Sequence, residues 1–189
     1  METQLLQTEF LGNSIQDYCW FLGAIVVGLL FKKLISRYLS KLLYKLIGKR
    51  NNEISVEKFN ELLSKPIGLF IMLSIIYLGA SHIEYPQSWN LVEANNFGIK
   101  MFVSKSYSFL YVLSVFWILL KVIDFAGLIL FAKAEKTENK MDDQLIPFII
   151  EIAKILTYIF ALFIIMGNVF DVNVTALATG LGIGGGALA

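Results

Sequence analysis

Residues Thr175–Ala189 read TALATGLGIGGGALA, with five glycines in the seven positions from Gly180 to Gly186. Gly180, Gly182 and Gly185 fit the spacing G-x-G-x-x-G, which lets a backbone approach a pyrophosphate. That fingerprint needs a strand before it, a helix after it and an acidic residue about 20 positions on. Here the glycines are followed only by Ala187, Leu188 and Ala189, and no Lys follows them as a P-loop requires. The other reading is a membrane helix stripped of bulk, and the rest of the sequence decides between the two.

Of 189 residues, 57% are hydrophobic and 16% charged, with a mean hydropathy of +0.67. Such a composition points to an integral membrane protein rather than a soluble domain. A net charge of +1 gives nucleic acid no electrostatic footprint. Cys19 stands alone in an apolar run and reads as a packing residue. With one His and one Cys far apart, no metal site and no cofactor is expected. His82 closes an apolar segment, where its polar tip can reach interfacial water.

A helix crosses the bilayer core with about 20 apolar residues. Five stretches fit, predicting an all-α membrane fold: about 15–31, 67–83, 106–131, 145–166, and a fifth from about 172. No cleavable signal is expected, because the N-terminus lacks a basic region and carries Glu2, Glu9 and Asp17. Cytoplasmic loops collect Lys and Arg. The loops 32–66 and 132–144 hold twelve of them, including Lys32, Lys33, Arg37 and Lys65, whereas the segment between spans 2 and 3 holds Lys100 and Lys105. The predicted orientation places the N-terminus outside and the continuation of span 5 in the cytoplasm.

Within the first loop, SRYLSKLLYKLIGKR sets Leu39, Leu42, Leu43 and Leu46 at helical spacing between basic residues. It reads equally as a helix lying on an anionic leaflet or as span 1 continued. NEISVEKFNELLSKP reads as a short polar helix stopped by Pro66, which opens span 2. Inside the spans lie Lys121, Asp124, Glu151 and Lys154. Counted inward from the cytoplasmic ends, Asp124 matches Glu151 in depth and Lys121 matches Lys154. Two readings stand: a structural ion-pair cluster of all four, and a gating or proton-relay role.

Asp171 and Asn173 can both cap the last helix. In it, Ala176, Gly180 and Gly184 recur every four residues, as do Ala178, Gly182 and Gly186. Glycine in a helix costs about 1 kcal/mol against alanine, so so dense a run calls for close packing. Two small-residue ridges let identical helices pack on both sides, as a ring requires. Leu177, Leu181, Ile183 and Leu188 would then supply apolar faces, some toward a lumen that closes by dewetting.

The stretch from Asp142 to Ala189 resembles the pore hairpin of the small-conductance mechanosensitive channel (MscS) family: an Asp-rich entry to the penultimate helix, a short turn, then a Gly/Ala-rich pore helix. The resemblance implies a homoheptamer in the inner membrane whose pore helices line the path. It would be opened by tension and pass small ions and solutes on hypo-osmotic shock. It further implies a cytoplasmic vestibule, β then α/β, so the chain reads as truncated ahead of one. By the same resemblance, Gly180, Gly182, Gly185 and Ala187 look like the small ridge and groove residues between neighbouring pore helices. Where the family commonly has GIGGLAL this chain has GIGGGAL, so Gly186 stands in the place of the outer sealing leucine. Residues 1–141 would form the N-terminal membrane domain, with three sensor helices in contact with lipid.

Two other classes remain open: a secondary transporter with glycine-broken helices, for which spans 1–2 and 3–4 offer no inverted repeat, and a non-conducting helical assembly protein. An enzyme is not expected, since no Ser/His/Asp or Cys/His set sits together.

Overall fold

The computed structural model describes residues 7–47, 56–86, 89–93, 96–134, 140–176 and 178–180. Four long helices dominate: α1 (Ile15–Ile47), α2 (Val56–Ala80), α3 (Ile99–Ala134) and α4 (Lys140–Asn168). Each contains a stretch long and apolar enough to cross a membrane. Each packs on its neighbour in sequence, α1 on α2, α2 on α3 and α3 on α4. A last helix begins at residue 174 and is described as far as 180. The greater part of the fifth predicted span, residues 181–189 and Leu177, lies outside the described residues.

An N-terminal hairpin, β1 (Glu9–Phe10) and β2 (Asn13–Ser14), was not anticipated. Its two-residue turn holds Leu11 at φ 52° and Gly12 at φ 84°, the pattern that matches the twist of paired strands. Leucine in the left-handed region gives no sequence signal for such a turn. Asn13 ties the hairpin down: its Nδ2 donates to the Glu84 carbonyl at 2.7 Å and its Oδ1 accepts from the Glu84 N–H at 2.7 Å. Ser14 then caps α1. Asp17 N–H donates to Ser14 Oγ at 3.2 Å and Ser14 N–H to Asp17 Oδ2 at 3.0 Å, a reciprocal box with Asp in the usual place of Glu.

Both helices bordering the first basic loop run further than their apolar stretches. α1 continues through Lys32, Lys33, Arg37, Lys41 and Lys45 to Ile47, so as far as Ile47 the stretch SRYLSKLLYKLIGKR follows the second reading. At about 1.5 Å per residue its 33 residues measure about 50 Å, more than a hydrocarbon core of about 30 Å. Pro66 does not stop a separate polar helix; α2 passes through it unbroken. An interior proline forgoes a backbone bond and costs about 3 kcal/mol. Here the continuous ridge Phe59, Leu63, Ile67, Ile71, at steps of four, is buried along its length and would be split by a break at 66.

That ridge is the core. With Phe125 and Ile129 of α3 it forms one buried cluster, against which Leu39 and Tyr44 of α1 pack. Phe59 and Phe125 meet edge to face at 4.4 Å between centroids, and Tyr44 stands 5.6 Å from Phe59 and 6.0 Å from Phe125. Three helices are thus fastened at the end that carries the basic loops. Toward the other end the helices meet through different side chains. Tyr77, Tyr107 and Tyr111 stack at 5.5 and 5.9 Å, and Tyr107 donates to the Leu73 carbonyl at 3.2 Å. α1 and α2 approach closely at Gly28, where a Cβ would meet Ile75 at 2.8 Å, and at Gly79, where it would meet Phe21 at 3.0 Å.

Candidate functional site

α4 and the last helix form a tight hairpin. Val169 and Phe170 N–H groups donate to the Ile165 carbonyl at 2.9 and 3.3 Å, and Val172 N–H to Met166 at 2.9 Å, which satisfies carbonyls that a helix end leaves open. A side chain at Gly167 would meet Val174 Cγ2 at 3.0 Å, so a small residue lets the next helix start this close. Asn173 is the cap: its Oδ1 accepts the Ala176 N–H at 3.0 Å. Asp171 does not share that role. It takes a left-handed backbone, φ 55°, and its Oδ2 accepts from Lys105 Nζ of α3 at 2.7 Å.

The Lys105–Asp171 pair is exposed, and exposed pairs are worth about 0.2–1 kcal/mol. Asp171→Asn keeps a side chain that tolerates the left-handed region and is expected to lower stability by less than about 1 kcal/mol. Equilibrium unfolding in micelles measures this, and a larger loss would mean that the pair organises the turn.

Of the two small-residue ridges, Ala176 and Gly180 of one and Ala178 of the other are described, and all three are exposed. A Cβ at Gly180 would find nothing within 4 Å. Gly182, Gly184, Gly185, Gly186 and Ala187 lie outside the described residues, as do the candidate lining residues Leu177, Leu181, Ile183 and Leu188.

Three of the four intramembrane charges come together. Lys121 Nζ donates to Asp124 Oδ2 at 2.7 Å, one turn along α3, and Lys154 Nζ of α4 reaches Asp124 Oδ1 at 2.5 Å. Glu151 is exposed and forms no ion pair among the described residues. The cause is the register of the two antiparallel helices. Gly127 faces Ile150, whose Cδ1 would lie 3.3 Å from a Cβ there, and that contact sets Asp124 level with Lys154, one turn further along α4. Glu151 lies about 100° around the helix from Ile150, turned off this seam. The cluster therefore holds two ammonium groups on one carboxylate, a local charge of +1.

Sequence reasoning missed Gly127, Gly28 and Gly79, whose meaning lies in what they face. It also missed Asn13, whose partner lies 71 positions away.

No family profile and no solved structure matches the chain. It is 26% identical over 191 residues to small-conductance mechanosensitive channel MscMJ of Methanocaldococcus jannaschii, covering 97% of this chain and 49% of that protein. It is 26% identical over 189 residues to large-conductance mechanosensitive channel MscMJLR of the same organism, covering 99% of this chain and 49% of that one. The chain spans about half the length of the curated relatives it matches. Both similarities run nearly the whole length of the chain, which supports its assignment to the MscS-like family of mechanosensitive channels.

Proposed function

We propose that this chain is membrane machinery of a tension-gated channel that assembles as a homo-oligomer, a heptamer by resemblance. In this reading α1–α4 are a lipid-contacting paddle, and the helix capped by Asn173 lines the conduction path. It sits in the inner membrane with its N-terminus outside and its last helix directed inward, toward a cytoplasmic continuation. Small ions and solutes are the permeants, released on hypo-osmotic shock.

The observation that carries the reading is the exposure of Ala176 and Gly180 on one small-residue ridge and Ala178 on the other, with open space at Gly180, on a helix held at its start by an internal cap. Among the described residues nothing uses the close approach that Gly180 permits, which suits a neighbouring copy. Tension favours whichever state occupies more area, and the shift equals the difference in work between the states. Helices packed through small ridges can slide and tilt without emptying a core of large side chains.

The test is patch-clamp of liposomes containing the full-length protein under ramped suction. Stepwise currents that appear only above a threshold are expected. Gly180→Leu should leave the chain folded, since its Cβ meets open space, while changing oligomer formation or the threshold. Silence under tension from a confirmed oligomer would reject the channel reading in favour of a transporter or assembly protein. Unchanged gating in Gly180→Leu would reject the ridge as the sliding surface.

A further inference from the structure

The seam between α1 and α2 opens at its basic end into a groove of about 670 Å³, a volume in the range of small-molecule sites. Its wall is graded along the helix axis. On α2, Glu57, Glu61, Lys65 and Leu69 follow one another at steps of four, each about 6 Å further along. Gly68 and Met72 extend the apolar end, and α1 supplies Lys32, Lys33 and Arg37 beside Lys65. The seam's antiparallel register, fixed where Ser36 Oγ donates to the Ser64 carbonyl at 2.9 Å, brings Arg37 and Lys65 to one level. Four cations thus gather where the apolar stretches of α1 and α2 begin.

None of the four is ion-paired among the described residues, and neither groove carboxylate answers them. Glu61 is taken by Lys58 at 3.1 Å, and Glu57 stands at the rim furthest from the apolar end. A Cβ at Gly68 would meet nothing within 4 Å, so the apolar end is open. Unpaired cations at the hydrocarbon boundary, continuous with an open apolar channel, match a phosphodiester continuous with an acyl chain. Basic pockets between spanning helices are a known way of holding anionic headgroups.

We infer that the α1–α2 groove is a binding site for one anionic phospholipid of the leaflet at the Lys-rich end. The phosphate sits among Lys33, Arg37 and Lys65, and an acyl chain lies along Gly68, Leu69 and Met72. The site requires the membrane reading but not conduction, so its test does not depend on currents.

The experiment is native mass spectrometry of the full-length protein in detergent, titrated with phosphatidylglycerol or phosphatidylcholine of matched chains. Phosphatidylglycerol should be retained at least about tenfold better than phosphatidylcholine. Lys33→Gln with Lys65→Gln should weaken that retention by about thirtyfold, from the contribution of each basic residue near an anionic headgroup. Lys41→Gln with Lys45→Gln, outside the groove on the same helix, should change it by less than about twofold. Gly68→Leu, tolerated in open space, should lower retention of both lipids by filling the apolar end. Circular dichroism verifies that each variant is folded. Equal retention of the two lipids, an equal loss in the Lys41/Lys45 control, or retention undiminished in both the Lys33/Lys65 and Gly68 variants would overturn the site. So would displacement of the lipid by equimolar inorganic phosphate, which would leave a phosphate site only. Lost currents with unchanged lipid retention would count against the channel reading alone.

Discussion

Phe59→Ala is expected to destabilise the helix bundle by about 3–5 kcal/mol, the range for truncating a buried aromatic residue. Phe59 is 0% exposed and so is Phe125, its edge-to-face partner at 4.4 Å. With Tyr44 they form, among the described residues, the point at which α1, α2 and α3 all touch through aromatic rings. Removing the ring opens a cavity that Leu63 above and Tyr44 beside cannot fill without leaving their own contacts. The extra geometric preference of an aromatic pair, about 0.5–1.5 kcal/mol, is lost with it. Phe160→Ala is the counterpart: that ring on α4 is 59% exposed within the chain and its loss should cost the isolated chain little. Reversible unfolding in mixed micelles, followed by far-UV circular dichroism, compares the two. A loss under about 1 kcal/mol for Phe59→Ala would show that the bundle is not held at this end.

The sequence makes spans legible because a bilayer demands length and apolarity: three of the first four predicted stretches lie inside a long helix, and the second, 67–83, runs three residues past the end of α2 at Ala80. Register is not legible in the same way. Depth counted from the ends of apolar stretches pairs Asp124 with Glu151, yet the structure pairs Asp124 with Lys154, Gly127 with Ile150 and Lys105 with Asp171. α3 continues to Ala134 and α4 starts at Lys140, so the apolar limits are a poor origin for counting. Register is set by where a small residue admits a large one. Gly127 shows that only when Ile150 stands opposite. The same holds for Pro66: its cost is local and visible in the sequence, while the ridge from Phe59 to Ile71 that outweighs it is tertiary. The α1–α2 groove was half legible, its cations counted as a loop feature, its apolar continuation hidden until α2 was seen to run straight through the loop's end.

Asp124→Asn is expected to cost about 3 kcal/mol, the low end of the range for breaking a buried ion pair, because about a quarter of the carboxylate side chain remains exposed. The wild-type cluster carries two ammonium groups on one carboxylate, so the variant leaves two cations facing each other inside the span. The Cα–Cβ bond of Lys154 tilts toward the α4 N-terminus and interfacial water, whereas that of Lys121, on a helix of opposite direction, tilts away from that end. Lys121→Met should behave differently, since it leaves Asp124 and Lys154 as a balanced pair, and little loss of stability is expected. The contrast separates the two roles open to this cluster. Replacing all three together, Lys121→Met, Asp124→Leu and Lys154→Met, removes the charge without orphaning any of it, a change that is often neutral or stabilising. If that protein folds and keeps the wild-type tension threshold in liposomes, the cluster is structural and serves to fix α3 against α4. If it folds at full stability and its threshold moves, the charges bias the equilibrium between two helix arrangements, and Asp124, shared between the helices, is the residue through which they do so.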